Sequence, residues 1–401
     1  MNVQSLNVES FSGQGITSLI QSLTIYESVN GYMKGKLHML DGIGYYDKVI
    51  ATTDKLIPVS FSFKYLGIEH DMLFYVDGFS DMQIKRAKKE YIMHLITPVE
   101  HSLKLVNINA VYSGKSHEII NQIFNEAVGS HKWLGTETKA TTDGKYIVPN
   151  ISAFEAIENV KNSAVDNYYS GFYVFQKLIN KGKVTLTSHD TIANNFMPNE
   201  KGERFSITDA MVAATDMKSE GYKGNEASIG TTNKYRLEEY KMDYTEKLAE
   251  GYWGNIIHNI HLDKTKVEKN KKLGWEEGTD IKTTFKISDN LYDYVTEPSG
   301  PAGQTSRYQQ KSLFVDNVLP GNMSAINMKK RSYNTFLSLI DMISIPLLGC
   351  GQSIMVEMGG GDDSYESQNG PYIIADINHT FSRNQEGFEY RQNMSLIREY
   401  A

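Results

Sequence analysis

Tyr372-Ile373-Ile374-Ala375-Asp376 is followed thirteen positions after its aspartate (376 to 389) by Glu389-Tyr390, where Phe388 opens a last run to Ile397. Both pieces are rich in β-branched and aromatic residues, so they read as two late antiparallel strands. The same grammar occurs near the N-terminus. Phe74-Tyr75-Val76-Asp77 precedes Glu90-Tyr91-Ile92-Met93-His94-Leu95-Ile96, again with thirteen positions from aspartate to glutamate (77 to 90). Between these two lies the basic turn Lys85-Arg86-Ala87-Lys88-Lys89.

Working outward, a second correspondence keeps the same order. Gly31-Tyr32 leads into Leu37-His38-Met39-Leu40-Asp41, and Gly251-Tyr252-Trp253 leads into Ile260-His261-Leu262-Asp263. Leu23-Thr24-Ile25-Tyr26 and the turn Asn30-Gly31 belong to the first copy. So does the alternating run Val59, Phe61 and Phe63, with Ser60 and Ser62 on the other face. Two matches in register predict an internal duplication. The expected fold class is α+β and β-rich, with two similar antiparallel β-barrel, tube-like domains carrying inserted α/β domains. The first barrel spans 1–105 and an inserted α/β domain 106–204. The second barrel is discontinuous, 205–264 and 330–401, with a second insert at 265–329.

The first insert carries helical signals. Ser113 and Ser116 offer N-caps to a helix with Ile119, Ile120, Ile123, Phe124 and Ala127 on one face. Ser152-Ala153-Phe154-Glu155 has the form of a capping box. Phe154, Ile157, Val160, Ala164, Val165 and Tyr168 extend a stripe behind it. A hairpin follows, Phe172–Phe175 with Val184–Leu186, turning at Asn180-Lys181-Gly182. The second insert opens with the charged run Lys264 to Lys272 and holds the loop Pro298-Ser299-Gly300-Pro301-Ala302-Gly303. Tyr333, Phe336, Leu337 and Ile340, at i, i+3, i+4 and i+7, predict a helix starting near Ser332.

Composition narrows the function. At 401 residues the chain exceeds a single typical domain. The formal charge of −7, from 48 acidic and 41 basic residues, argues against a protein built to grip nucleic acid. The single cysteine, Cys350, allows no internal disulfide and no cysteine-based zinc site. The N-terminus lacks the basic segment and apolar run of a signal peptide. The longest apolar stretch, Ile340 to Leu348, is broken by Asp341, Ser344 and Pro346, too short and polar to span a bilayer. Cytoplasmic synthesis and no stable membrane insertion are therefore expected.

No catalytic, cofactor-binding or metal-binding residue is assigned, and no cofactor is expected. Ser113-Gly114-Lys115-Ser116 resembles the end of a phosphate loop, but Asn109 stands where its first glycine is needed. A turn before a helix explains it better. His258 and His261 lie in an apolar run that reads as a strand, where i and i+3 face opposite ways and chelate nothing. Gly359-Gly360-Gly361-Asp362-Asp363 lacks the alternating oxygen ligands of a calcium loop. Cys350, between Gly349 and Gly351, reads as a buried thiol in a tight turn. The basic clusters read as solvated turns, and no enzyme signature survives.

The order of segments resembles the central hub of contractile phage-tail baseplates, a fold shared with type VI secretion spike proteins. The resemblance covers nearly the whole chain. It rests on Leu23-Thr24-Ile25 with Gly35 to Asp41, on Tyr146-Ile147-Val148-Pro149 leading into the Ser152 capping box, and on Phe172 to Phe175. At the end it rests on Pro346 to Gly349, Ser353 to Val356, and Tyr372 to Asp376 followed by His379. It implies a homotrimer in which two barrels per chain form a pseudo-six-fold ring. Such a ring joins a hexameric tail tube, or tube-initiator protein, to a trimeric central spike, contacts other baseplate proteins, and passes DNA without binding it specifically. It implies a virion protein assembled in the host cytoplasm. Because the chain ends at Ala401 after the last strand, the spike is expected as a separate chain. Two other classes stay open: a tail-tip cell-wall hydrolase and a receptor- or carbohydrate-binding β-protein.

Overall fold

A computed structural model describes residues 3–10, 14–65, 68–85, 88–167, 170–194, 206–209, 229–232, 234–238, 254–261, 280–287, 314–316, 333–343, 348–357 and 370–399. Strands dominate, and fourteen of them share one sheet. Its centre is the hairpin Ile20–Ser28 and Lys34–Asp41. A long hairpin flanks each side: Ile68–Lys85 with Lys88–Ile96 joins Lys34–Asp41, and Gly370–Asn384 with Gly387–Glu399 joins Ile20–Ser28. Each long hairpin has a register shift well before its tip, between Val76 and Gly78 in one and between Ile374 and Asp376 in the other. An extra residue there bends a strand and increases its twist.

The expected pair of barrels is not what the described strands form: fourteen of them make one sheet that does not close, and Gly254–His261, expected in the second barrel, lies in a separate two-stranded ribbon. The reason lies in Gly370–Asn384. Along one side this 15-residue strand pairs with Gly387–Glu399. On the other it pairs first with Ser353–Glu357, at Ile373↔Ser353, and then with Ile20–Ser28, at Asp376↔Ser28. One strand thus serves both ends of the chain.

Two cores follow from that strand. Around its first half, Tyr372, Ile374 and Ile377 pack with Leu337, Leu339, Ile354, Val356, Met394 and Leu396. Beyond it, Phe381, Phe388 and Tyr390 enter the N-terminal core with Val8, Leu37, Met39, Phe61, Phe63 and Met93. The sheet coils enough to set Phe63 4.7 Å from Phe381 and 5.6 Å from Tyr390, ring centre to ring centre. Its far edge returns as well: Val3 N–H donates to Phe388 O at 2.7 Å. Val59, Phe61 and Phe63 are buried as their alternation requires.

The segment after Ile96 builds a separate α/β layer. Helix α1, Pro98–Leu105, starts at Thr97, whose Oγ1 accepts from Glu100 N at 3.3 Å, with Pro98 at the first helical position. Helices α2, Ser116–Ala127, and α3, Ala153–Ser163, bury Ile119, Ile120, Ile123, Phe124, Ile157 and Val160 in one core. Strands Asn107–Lys115 and Asp143–Ser152 cover this core on one side. The hairpin Phe172–Gln176 and Val184–Ser188 lies on the other. Short helix α4, His189–Asn194, follows. A two-stranded ribbon, Gly254–His261 with Asp280–Ile287, stands outside the main sheet.

Three local expectations need correction. Tyr333–Ile343 is a strand, not a helix, paired with Gly387–Glu399 at Leu337↔Leu396 and with Lys234–Glu238 at Leu337↔Leu237. Leu337 and Leu339 are both buried, a period of two that the helical spacing obscured; two waiting partners decide for the strand. Helix α2 is preceded by Lys115 without a side-chain cap. Ser116 instead turns inward, its Oγ 2.7 Å from Tyr146 Oη, and Ser113 lies in the strand before it. Helix α3 ends at Ser163, before Ala164 and Val165, because Val165 bonds the Thr141–Thr142 segment: Thr141 N–H donates to Val165 O at 2.8 Å and Val165 N–H to Thr142 Oγ1 at 2.9 Å. Ser152 caps α3 as predicted, its Oγ accepting from Glu155 N at 3.2 Å.

Candidate functional site

The chemically distinctive place in this fold is a closed polar junction where the sheet, the α/β layer and the loop before Ser353 meet. Strand Ile20–Ser28 turns Leu23, Ile25 and Glu27 inward, so a carboxylate occupies a core position. Strand Gly370–Asn384 turns Ile377, His379 and Phe381 inward and pairs His379 opposite Ile25. The diagonal brings Glu27 Oε1 to 3.2 Å from His379 Nε2, both side chains essentially without solvent.

The carboxylate is bound on every side. Leu178 N–H donates to Glu27 Oε1 at 2.6 Å and Cys350 N–H to Oε2 at 3.0 Å. Burial alone would raise the Glu27 pKa, but the bond and charge of His379, with the Cys350 and Leu178 amides, outweigh it and hold the carboxyl below the ordinary range. Behind the imidazole, Tyr390 Oη lies 2.7 Å from Nδ1, and Gln392 Nε2 donates to Tyr390 Oη at 3.1 Å.

Gln176 extends the junction into the α/β layer. Its Oε1 accepts from Thr97 Oγ1 at 2.9 Å and Met33 N at 3.3 Å, and its Nε2 donates to Gly182 O. The close packing needs two glycines with positive φ. A Cβ on Gly351, at φ +71°, would lie 2.6 Å from Phe175 Cζ; one on Gly182, at φ +68°, would lie 2.6 Å from Met72 Cε.

Cys350 is fully buried, as its glycine-flanked position suggested. Burial first, and then the Glu27 carboxylate, push its thiol well above the ordinary value and favour its protonated form. The site brings an acid, a base and a thiol together in the interior, and its outer members Thr97, Gln176 and Gly182 also line a cavity of about 440 Å³ with Ser60, Asp71 and Lys132. What it does is fasten segments that lie 352 positions apart, from Glu27 to His379. Composition gave no sign of it. The legible sign was an acid at a core-parity position of one strand and a histidine at a core-parity position of another.

The other candidates fall elsewhere. Ser113 to Lys115 end the strand Asn107–Lys115 rather than forming the expected turn, with Gly114 at φ +128°, and Ser116 opens α2. His258 and His261 lie on the strand Gly254–His261, as their pattern indicated. Gly359 to Asp363, Lys264 to Lys272 and the loop Pro298 to Gly303 lie outside the described residues. Among the described residues, no group of three or more His, Cys, Asp or Glu is placed to hold a metal ion, and no helix is long and apolar enough to cross a membrane.

No family model matches the chain, and no curated protein matches it in sequence. Solved structures do. The 43 kDa tail protein of prophage MuSo2 from Shewanella oneidensis superposes with a TM-score of 0.56 at 9% identity, over 98% of each chain. The tail protein from Neisseria meningitidis MC58 superposes with a TM-score of 0.53 at 8% identity, over 98% of this chain and 97% of its own. The fold is that of phage tail proteins. In this tail-protein fold the strand that serves two cores and the Glu27–His379 junction act together to bind the N- and C-terminal halves into one body. At 8–9% identity no side chain is carried over from either structure.

Proposed function

We propose that the chain is a structural component of a phage tail, the hub of a baseplate. The observation that carries this is the match to two tail proteins along essentially their whole length and its own. In this reading the chain forms a homotrimeric, pseudo-six-fold ring. The ring joins a hexameric tail tube to a trimeric central spike, touches other baseplate proteins and lets DNA through. Residues 1–105 and the discontinuous 205–264 with 330–401 act as two tube-forming lobes. Residues 106–204 and 265–329 are the inserted parts. The lobes are joined through the shared sheet rather than closed separately.

Support comes from the two long hairpins that flank one central hairpin, each with a register shift before its tip. Two similar surfaces per chain let three chains meet a six-fold partner. A net charge of −7 suits a wall that does not retain passing phosphates. The role is mechanical and non-enzymatic, in a virion tail assembled in the host cytoplasm.

Electron microscopy of the full chain, alone and mixed with candidate tail-tube and spike proteins, tests the proposal. A three-fold ring with six-fold modulation, capping a tube, is expected. A chain that stays monomeric and binds neither protein would overturn it.

A further inference from the structure

Strands Ser5–Ser10, Pro58–Tyr65 and Ile68–Lys85 turn Val8, Phe61 and Met72 into the N-terminal core, so the residues between them face outward. Two rows cross this outer face. Asn7, Ser62 and Asp71 are direct partners in one, and Glu9, Ser60 and Leu73 in the next. Both rows line the cavity of about 440 Å³ that separates the sheet from the α/β layer. The middle strand offers only two serines there, which makes a trough with one carboxylate on each flanking strand. Those strands stand two spacings apart, on the order of 10 Å, a distance that an extended ligand spans and a single ion does not.

The α/β layer brings lysines to the same cavity. Lys132 ends the short turn Ser130–Lys132 after α2, and Lys181 stands in the turn between Phe172–Gln176 and Val184–Ser188. Lys181 takes φ +53°, a left-handed conformation that favours glycine and costs a lysine free energy. Strain of this kind collects where a side chain is needed at one place. Among the described residues, no ion pair joins Lys132 or Lys181 to Glu9 or Asp71. The buried side chains Thr97 and Gln176 also line the cavity and are fixed to each other, Gln176 Oε1 accepting from Thr97 Oγ1 at 2.9 Å. The two sides meet where Gly182 packs on Met72, so the cavity is held open by contacts already made.

We infer that this cavity receives an extended segment of a partner protein in which a basic residue and an acidic residue are adjacent. Neighbouring side chains of an extended chain point opposite ways. The basic one therefore reaches Asp71 and Glu9 on the sheet while the acidic one reaches Lys132 and Lys181 on the α/β layer. Charge complementarity decides the occupant. A neutral ligand would take four charged groups out of water and pair none of them, and a segment of one sign would meet its own charge on one side. The volume falls within the roughly 300–1,000 Å³ of ligand clefts and gives room for a short stretch of chain. The inference goes beyond the ring reading and stands without it.

The test titrates the full chain by calorimetry with the capped peptide acetyl-Gly-Lys-Glu-Gly-amide and with its Lys-Lys and Glu-Glu counterparts. The mixed peptide should bind about tenfold more tightly than either control, the size of one charge-assisted contact. Asp71 and Lys181 are exposed, so Asp71→Lys and Lys181→Glu should leave thermal melts unchanged. Each should weaken the mixed peptide about tenfold, and each should shift the preference in its own direction, toward Glu-Glu for Asp71→Lys and toward Lys-Lys for Lys181→Glu. Failure of the mixed peptide to bind, equal binding of all three, or affinities that neither reversal changes would overturn the site. Free lysine or free glutamate binding as well as the capped peptide would mark a small-molecule site and overturn the partner segment.

Discussion

Glu27 Oε1 and His379 Nε2 lie 3.2 Å apart in a site from which solvent is excluded, and they join the strand that begins the sheet's centre to the one that carries both cores. A buried pair of this kind need not add net stability over a well-packed apolar pair, but losing one partner strands the other. Glu27→Ala should therefore cost about 3–5 kcal/mol, read as a lowered urea midpoint with an unchanged slope. A loss below about 1 kcal/mol would mean that water reaches the site.

The same pair sets a pH dependence. Because the folded-state pKa of Glu27 is depressed below its ordinary 4.5, its contribution is fully present above that value and is lost as pH falls through the lower folded value. The stability gap between the parent and Glu27→Gln should thus be constant from about pH 7 to about 5 and narrow below about 4.5. Chemical denaturation in steps from neutral pH down to about pH 3 measures it; a gap that widens on acidification reverses the sign argued here.

Gly351 has φ +71° and no room for a methyl group beside Phe175. Gly351→Ala should destabilise by about 2 kcal/mol or more, combining backbone strain with overpacking. Adding Phe175→Leu should recover part of the loss, leaving the backbone share. Thermal melts of the two variants separate the contributions.

Cys350 should resist thiol reagents. Its burial and protonated state predict reaction with a disulfide reagent at mildly alkaline pH about a thousandfold or more slower than in the unfolded chain. Glu27→Ala, by loosening the Cys350 amide, should speed it. Rapid labelling of the native parent would contradict the burial.

Leu337 and Leu396 are direct cross-strand partners in one core. Each alanine replacement should cost about 2–5 kcal/mol. The double mutant should show a coupling of about 0.5–3 kcal/mol. Additive losses would mean that 333–343 does not pair with the last strand.

Much of this was legible in local pattern. Val59, Phe61 and Phe63 alternate because a two-residue period turns one set of side chains to a single core. Ser152 marked a helix start because its oxygen can satisfy an orphan amide three residues on. The α2 face and the hairpin Phe172–Gln176 with Val184–Ser188 followed from the same short-range rules.

The Tyr333–Ile343 strand was not legible, since its residues fit a helical spacing as well as an alternating one. What the sequence by itself determined is therefore β-rich character, most element positions and the absence of any recognisable catalytic motif. Only the tertiary structure decided that the two halves share one sheet and that Glu27 meets His379 across 352 positions. The physical reason is range: period and capping act over a few residues, whereas which strand pairs with which, and which buried acid finds which base, is set by whole-chain packing.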